Sequence, residues 1–353
     1  MSPPKERGEE GVVLLLLLVI FVFTISSVYA FTRTATLDIL SSGQRIDRGR
    51  AALLARSGVD LAIRAIVDDK ARSDDPIARD IESGRDAWAV LSRSPIEVEG
   101  GELQIEVSDG GTRIPMSALV GDTGDRTERA EDFLKVALER IIDDLPPGPT
   151  GARFYEKQDI QDAMLDWMDG DTDTESGEDE ADYYRSKGAQ GVPPNRPVWV
   201  MGELAGIPGM DEVLLTALSA YFQPALPGVK NESPGINPNT APPHVLYLLV
   251  LFPGTSPDPV DEDDVFRVLK ARKDGKVFCP SGDAGESDEE VCENIGTVLG
   301  EAGVSTFPEM VFRSDIFEIR SRGRIGETRA CVTATVDRSQ PGPAELVSYR
   351  LGC

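Results

Sequence analysis

The sequence predicts an α+β protein, and three observations carry that prediction. A charge-free apolar run near the start passes without a break into a long helical pattern. Strand patterns stand on either side of the remaining chain. Between them lies a block of helices punctuated by proline and glycine. The simplest arrangement is a helix-and-sheet unit interrupted by an inserted helical domain.

The first element is the apolar run Val12–Thr32, which carries no charged side chain. At about 1.5 Å per residue such a helix is roughly 30 Å long, the thickness of one bilayer core. A cleaved secretory signal is the alternative. Val28-Tyr29-Ala30 is only a partial match to a small-residue cleavage site, and the helical pattern continues past it. The segment therefore reads as a membrane anchor, with the body of the protein outside the cytoplasm. The flanks are mixed: Lys5 and Arg7 precede the span together with Glu6, Glu9 and Glu10, and Arg33 follows it, so the positive-inside rule is weakly obeyed.

Beyond the span the pattern is amphipathic. Leu37, Leu40, Leu53, Leu54, Leu61, Ile63, Ile66 and Val67 recur at near-helical spacing, with arginines between them, and Gly43, Gly49 and Gly58 weaken the helix without ending it. One long helix, starting in lipid and finishing in water, is expected from Val12 to about Val67. Next, Glu102–Ser108 alternates Leu103, Ile105 and Val107 on one face and turns at Gly110-Gly111. A lone hairpin is marginal, and the strand-like tail from Ile316 onward supplies partners. Between these lie expected helices at Thr127–Leu145, Lys157–Met168, Asp211–Phe222, Pro242–Phe252, Asp261–Arg272 and Asp288–Glu301.

Composition narrows the function. The net charge of −25 on 353 residues argues against nucleic acid, because phosphate binding needs clustered Lys and Arg. The single histidine, His244, has no GxSxG element to work with, and HExxH and GxxxxGK[ST] are absent. No enzymatic function is indicated. The four cysteines, Cys279, Cys292, Cys331 and Cys353, suit disulfides in an exported chain. Cys279 and Cys292 bracket one acidic loop, Ser281–Glu290, while Cys331 and Cys353 lie in the strand-rich tail. Their connectivity stays open at this level. Zinc is disfavoured, since there is no CxxC and one histidine.

The segment Asp166–Tyr184 holds nine carboxylates and no Lys or Arg. Asp169, Asp171 and Asp173 stand at alternate positions and Glu180 falls at position twelve, as in an EF-hand loop. Thr174 occupies the sixth position, where that loop needs glycine. The residues alone leave two readings, a different calcium loop and a solvated acidic face.

Five blocks in order resemble the minor pseudopilin K (GspK) family of the type II secretion system. They are GVVLLLLLVIF at Gly11–Phe21, ALLARSGVDLAI at Ala52–Ile63, AMLDWMDGDTD with GEDEADYY after it, PPNRPVWVMGEL at Pro193–Leu204, and INPNTAPPHVL at Ile236–Leu246. The resemblance covers nearly the whole chain. It implies a pilin-like fold: a prepilin leader at 1–11, an N-terminal helix at 12–72 (transmembrane at 12–32), and an antiparallel sheet from 96–120 and 306–353. It also implies an inserted all-α domain of SAM or helix-hairpin-helix type at 121–305.

Cleavage between Gly11 and Val12 by prepilin peptidase, followed by N-methylation, is implied too. Leu16 then stands at mature position five; most pilins carry Glu there, and K-type subunits characteristically lack it. The leader is acidic where the usual one is basic. The implied role is to cap the pseudopilus tip and initiate its assembly, with minor pseudopilins of I, J and H types as partners. The implied location is the bacterial inner membrane, single-pass, with the head in the periplasm.

The same resemblance favours structural Ca2+ in the acidic loop, with Asp169, Asp171, Asp173, Glu178, Asp179 and Asp182 as ligand candidates and Asp166 behind them. The INPNTA block and Glu203–Met210 also resemble halves of DNA-binding helix-hairpin-helix units. Without a basic cluster beside them they read instead as packing devices: Gly206 and Gly209 for a tight turn, Asn239 or Thr240 as a helix cap. A membrane-anchored DNA receptor and an anchored periplasmic enzyme are the competing functions.

Overall fold

The computed structural model describes residues 9–72, 81–121, 124, 126–148, 154–189, 191–226, 235–254, 256–279, 292–299, 305–340 and 342–353. The acidic loop Ser281–Glu290 and most of the leader lie outside them.

Helix α1 runs unbroken over Glu9–Arg72. Its apolar part is long enough to cross a membrane and is not buried against any of the described residues; Val12 through Phe23 are all more than half exposed. Its second half lies on a five-stranded antiparallel sheet of β1 (Ile96–Val98), β2 (Gly101–Asp109), β3 (Ile316–Ile325), β4 (Thr328–Asp337) and β5 (Glu345–Leu351), in that spatial order. The period-two pattern of β2 sends Leu103, Ile105 and Val107 inward. They meet Phe317, Ile319, Val332, Ala334 and Val336 from the sheet, Ala55, Val59, Ala62 and Ile66 from α1, and Trp88 from the short helix α2 (Ala87–Leu91).

Two glycines set how closely helix and sheet approach. A Cβ on Gly58 would fall 2.2 Å from Ser321 Oγ, and one on Gly323 would fall 2.4 Å from the Ala51 carbonyl oxygen. Gly58 therefore stays in the helix despite its poor propensity. β3 and β4 close through a two-residue hairpin, Ile325 paired with Thr328, and Gly326 takes φ of 55° there, the left-handed region such turns demand.

β2 and β3 are register neighbours, yet the chain between them is long. Asp109 sits opposite Phe317, so the intervening residues leave and re-enter the sheet at one end. Gly323 lies beside Ala51, while Arg338, which follows β4, reaches the Ile66 carbonyl at 3.0 Å. The β3–β4 hairpin thus points toward the apolar span, and the insertion emerges at the far end.

The insertion has its own core. Helices α3 (Glu128–Asp143), α4 (Lys157–Met168), α5 (Glu180–Ser186) and α6 (Glu212–Tyr221) build most of it. α3 is capped by Thr127, whose side chain accepts from the Ala130 amide, and α6 by Asp211, which accepts from the Leu214 amide. Phe133, Leu134, Leu138 and Ile141 of α3 face Ile160, Met164 and Met168 of α4 in the same buried cluster. After the four-residue α7 (Pro243–Leu246) comes α8 (Glu262–Lys273), opened by a capping box between Asp261 and Asp264.

Two expectations are corrected. The insertion is not all-α. Val250–Phe252 is a strand pairing antiparallel with Ser305–Phe307, and two-residue strands pair at Ile114–Pro115 with Phe222–Gln223, Gly235–Ile236 with Glu309–Met310, and Phe278–Cys279 with Glu293–Asn294. The helix expected over Pro242–Phe252 accordingly stops at Leu246. Leu248 to Phe252 are all buried, and an apolar run this short does not distinguish helix from buried strand until a pairing partner decides it. Of the helix expected at Asp288–Glu301, the described part is α9 (Ile295–Leu299), preceded by the bridge at Glu293; its outer ends lie outside the described residues.

The junction between sheet and insertion is polar. Asn237 Nδ2 donates to Asp109 Oδ2 at 2.8 Å and to the Glu82 carbonyl at 3.0 Å, and Thr240 Oγ1 donates to the same carboxylate. Asn239 exchanges hydrogen bonds with the Phe278 backbone, its Nδ2 donating at 2.9 Å and its Oδ1 accepting at 2.7 Å. Neither Asn239 nor Thr240 caps a helix as expected; Pro242 holds that position with no side-chain bond. Buried Arg338 pairs with buried Glu82, donates to the carbonyls of Ile66 and Ser314, and lies 4.6 Å above the Phe317 ring. The cysteines are joined as Cys279–Cys292 and Cys331–Cys353, the second tying the chain terminus to β4.

Candidate metal centre

The acidic run begins where α4 ends. Asp166 lies on the last turn of α4 and Asp169 is its C-cap; both are buried. The chain then folds back on itself. The Thr174 amide donates to the Glu178 carbonyl at 2.8 Å, Asp173 bridges Asp179, and the Glu180 amide donates to the Thr172 carbonyl at 3.0 Å. The turn falls at Gly177, with φ of 78°, and not at Thr174, whose hydroxyl is engaged by Ser176 and Glu178. The loop is thus not an EF-hand, although its first, third and twelfth positions still converge.

One carboxylate oxygen each from Asp169, Asp171 and Glu180 lie within 4.8 Å of one another. Asp169 and Glu180 are buried and Asp171 is exposed. Asp166 is buried beside them. Asp166 Oδ1, Asp169 Oδ1 and Glu180 Oε1 are shielded from solvent and have no hydrogen-bond partner among the described residues. Burial pushes Asp166 up to about 7, with repulsion from Asp169 next in weight. Burial also raises Asp169 to about 6, against the pull of Arg126, and raises Glu180 to about 7 with help from Asp169 and Asp166. Arg126 brings Nε to 3.1 Å from Asp169 Oδ2 and also pairs with Glu175. One guanidinium does not neutralise four acids.

The other sequence candidates have different tasks. Asp179 is the N-cap of α5 and accepts from the Asp182 amide at 3.0 Å, while Asp182 pairs with Arg185 at 2.5 Å on the surface. Asp173 gives its amide to Asp171 Oδ1, and Glu178 offers its carbonyl to Thr174. Both side chains are exposed. Glu180, noted at position twelve but not placed among the candidates, belongs to the cluster. Arg126 comes from a loop far upstream, where no periodicity points to it.

The surroundings hold the loop in place. Buried Tyr184 of α5 donates its hydroxyl to the Ala163 carbonyl of α4 at 2.8 Å and lies against the Trp167 ring. Gly206 makes room for that ring, since a Cβ there would sit 2.5 Å from Trp167 Cη2; Gly209 takes the expected turn, with φ of 84°. The donor set is oxygen only, partly buried and short of hydrogen bonds. That chemistry fits a hard divalent cation such as Ca2+ and does not suit zinc. His244 is elsewhere: exposed, edge-on to Tyr221 and 3.3 Å from the Ala220 carbonyl, it lines a cleft with Glu106, Arg113, Glu318 and Arg320.

Fold and site together define a class: a pilin-like α+β protein with an apolar N-terminal helix and a large insertion carrying a partly buried cluster of acids. Residues 118–223, which contain that cluster, match the family model described as type II secretion system (T2SS), protein K. That segment, about a third of the chain, is similar to the protein K (GspK) family, the family that the order of the sequence blocks resembles. Its fold is similar to that of a chain in the crystal structure of the GspK-GspI-GspJ complex from the enterotoxigenic Escherichia coli type 2 secretion system. The similarity has a TM-score of 0.58 at 16% identity and covers 89% of this chain and 99% of that one. No curated protein sequence matches the chain.

Proposed function

We propose that this chain caps the pseudopilus tip and helps to initiate its assembly for export of folded proteins across the outer membrane. Prepilin peptidase cleaves between Gly11 and Val12, the new terminus is methylated, and the span anchors the chain in the inner membrane with its head in the periplasm. The observation that carries this reading is the place of the insertion. It leaves the sheet at Asp109 and returns opposite it at Phe317, at the end away from the apolar span. Bulk there covers the face on which a further subunit would stack, and Leu16 offers no carboxylate for an incoming amino terminus. The inserted unit, a mixed helical domain with SAM-like helix pairs, holds structural Ca2+ at Asp169, Asp171 and Glu180, with Asp166 behind.

The partners are the I- and J-type minor pseudopilins, as in the GspK-GspI-GspJ assembly, together with the H type. Co-purification tests this. The full chain in detergent should retain the I and J subunits of its own operon through size exclusion. Failure to do so, with salt-dependent DNA binding instead, would favour a DNA receptor.

A further inference from the structure

Asn195 lies outside the acidic run, in the segment that follows α5. Its backbone is left-handed, with φ of 50°, and no other described residue except glycine shares that conformation. Asparagine is among the few side chains that tolerate it. Its Nδ2 donates to the backbone carbonyl of Asp171, and its side chain lies beside the Glu180 carboxylate. Both neighbours belong to the acid cluster. The remaining atom, Oδ1, is shielded from solvent and has no hydrogen-bond partner among the described residues. Turning the amide over would set that oxygen against the Asp171 carbonyl, so the orientation is fixed by its neighbours.

We infer that Asn195 Oδ1 is a ligand of the cation, a neutral oxygen supplied from outside the acidic loop. The inference rests on the calcium reading of that loop. Ca2+ takes six to eight oxygens, and the three converging carboxylates already carry more negative charge than one divalent ion offsets, with Asp166 behind them. A further carboxylate would add repulsion; an amide oxygen adds coordination without charge. The left-handed backbone and the orphaned oxygen then have one common cause. The consequence reaches the surface. Asn195 is followed by Arg196, whose guanidinium stacks 3.6 Å from the Trp199 ring, and the segment exposes Val192, Trp199 and Val200. Cation binding therefore staples this apolar segment to the acidic loop.

The test uses the full chain in detergent micelles, with terbium luminescence and calcium competition. Asn195→Gly keeps the backbone conformation and deletes the oxygen. Asn195→Asp keeps an oxygen and loses the Nδ2 donor. We expect Asn195→Gly to weaken calcium binding about tenfold and to gain about one metal-bound water by luminescence lifetime in H2O and D2O. Asn195→Asp should keep the wild-type water count. Unchanged affinity and water count in Asn195→Gly would overturn the inference, as would an Asn195→Asp variant weakened and hydrated like Asn195→Gly, which would assign the role to the donor. If Asn195→Gly does not fold, the water count of Asn195→Asp decides alone. A wild-type chain that takes up neither terbium nor calcium would remove the calcium reading itself, a result distinct from both.

Discussion

Asn237 Nδ2 donates to Asp109 Oδ2 at 2.8 Å across 128 residues of chain. One residue ends the second strand of the sheet and the other lies deep in the insertion, so this amide, with Thr240 on the same carboxylate, links the two. The same side chain donates to the Glu82 carbonyl and accepts from the Asn239 amide at 2.9 Å. Replacing it with alanine removes three buried hydrogen bonds and leaves the Glu82 carbonyl and the Asp109 carboxylate short of donors. Asn237→Ala is expected to cost about 3 kcal/mol. A double-mutant cycle with Asp109→Asn, read by thermal unfolding, should show coupling; additive losses would mean that the contact is incidental.

Gly58 tests the helix–sheet approach. Alanine in a helix interior gains about 1 kcal/mol over glycine, but here its Cβ would fall 2.2 Å from Ser321 Oγ and 2.8 Å from Leu103 Cδ1. Overpacking of this kind costs about 1–3 kcal/mol, so the clash outweighs propensity and Gly58→Ala should be destabilising. Adding Ser321→Gly should recover part of the loss. A Gly58→Ala variant that melts higher than wild type would contradict the packing described.

Calcium should raise the melting temperature. At a hundredfold excess over Kd the stabilisation is about 2.7 kcal/mol, which at roughly 2–4 °C per kcal/mol is a rise of about 5–10 °C over the chelated protein. Asp171→Ala and Glu180→Gln should abolish the rise. Asp173→Ala and Asp182→Ala should retain it, because the exposed Asp173 is not among the converging carboxylates and Asp182 pairs with Arg185. Differential scanning fluorimetry with calcium and with chelator separates the two groups.

Asp86 predicts a pH dependence away from the metal loop. Burial, opposed by its bonds to Ser83 and reinforced by Asp69, lifts its carboxyl from 3.8 to about 7. The folded state therefore holds a proton that the unfolded chain releases near pH 4. Stability from this group is full below about pH 4 and is lost as pH rises through about 7. Measured in saturating calcium, Asp86→Asn should flatten the pH–stability curve between those limits relative to wild type. An unchanged slope would show that Asp86 titrates as an ordinary surface acid.

Much of this protein is local, and local features were legible. The apolar run from Val12, the alternation of Leu103, Ile105 and Val107, and the amphipathic faces of Glu128–Asp143 and Glu262–Lys273 specify their elements by period and by caps at Thr127, Asp211 and Asp261. The D-x-D run with Glu180 at its twelfth position marked the acidic loop, because hard cations need oxygens at close spacing. Tertiary structure decided the rest. Val250–Phe252 became a strand because Ser305–Phe307 pairs with it, and no window of sequence contains that partner. Asp179 and Asp182 dropped out of the cluster because a helix cap and an ion pair engage them, while Arg126 and Asn195 arrived from other loops. By itself the sequence determined most of the helices, the long strands, the apolar N-terminal run and the acidic loop, since those follow from side-chain periodicity and charge along the chain. Which acids converge, which glycines let α1 touch β3, and where the insertion leaves the sheet depended on contacts between residues far apart, whose energies no local pattern encodes.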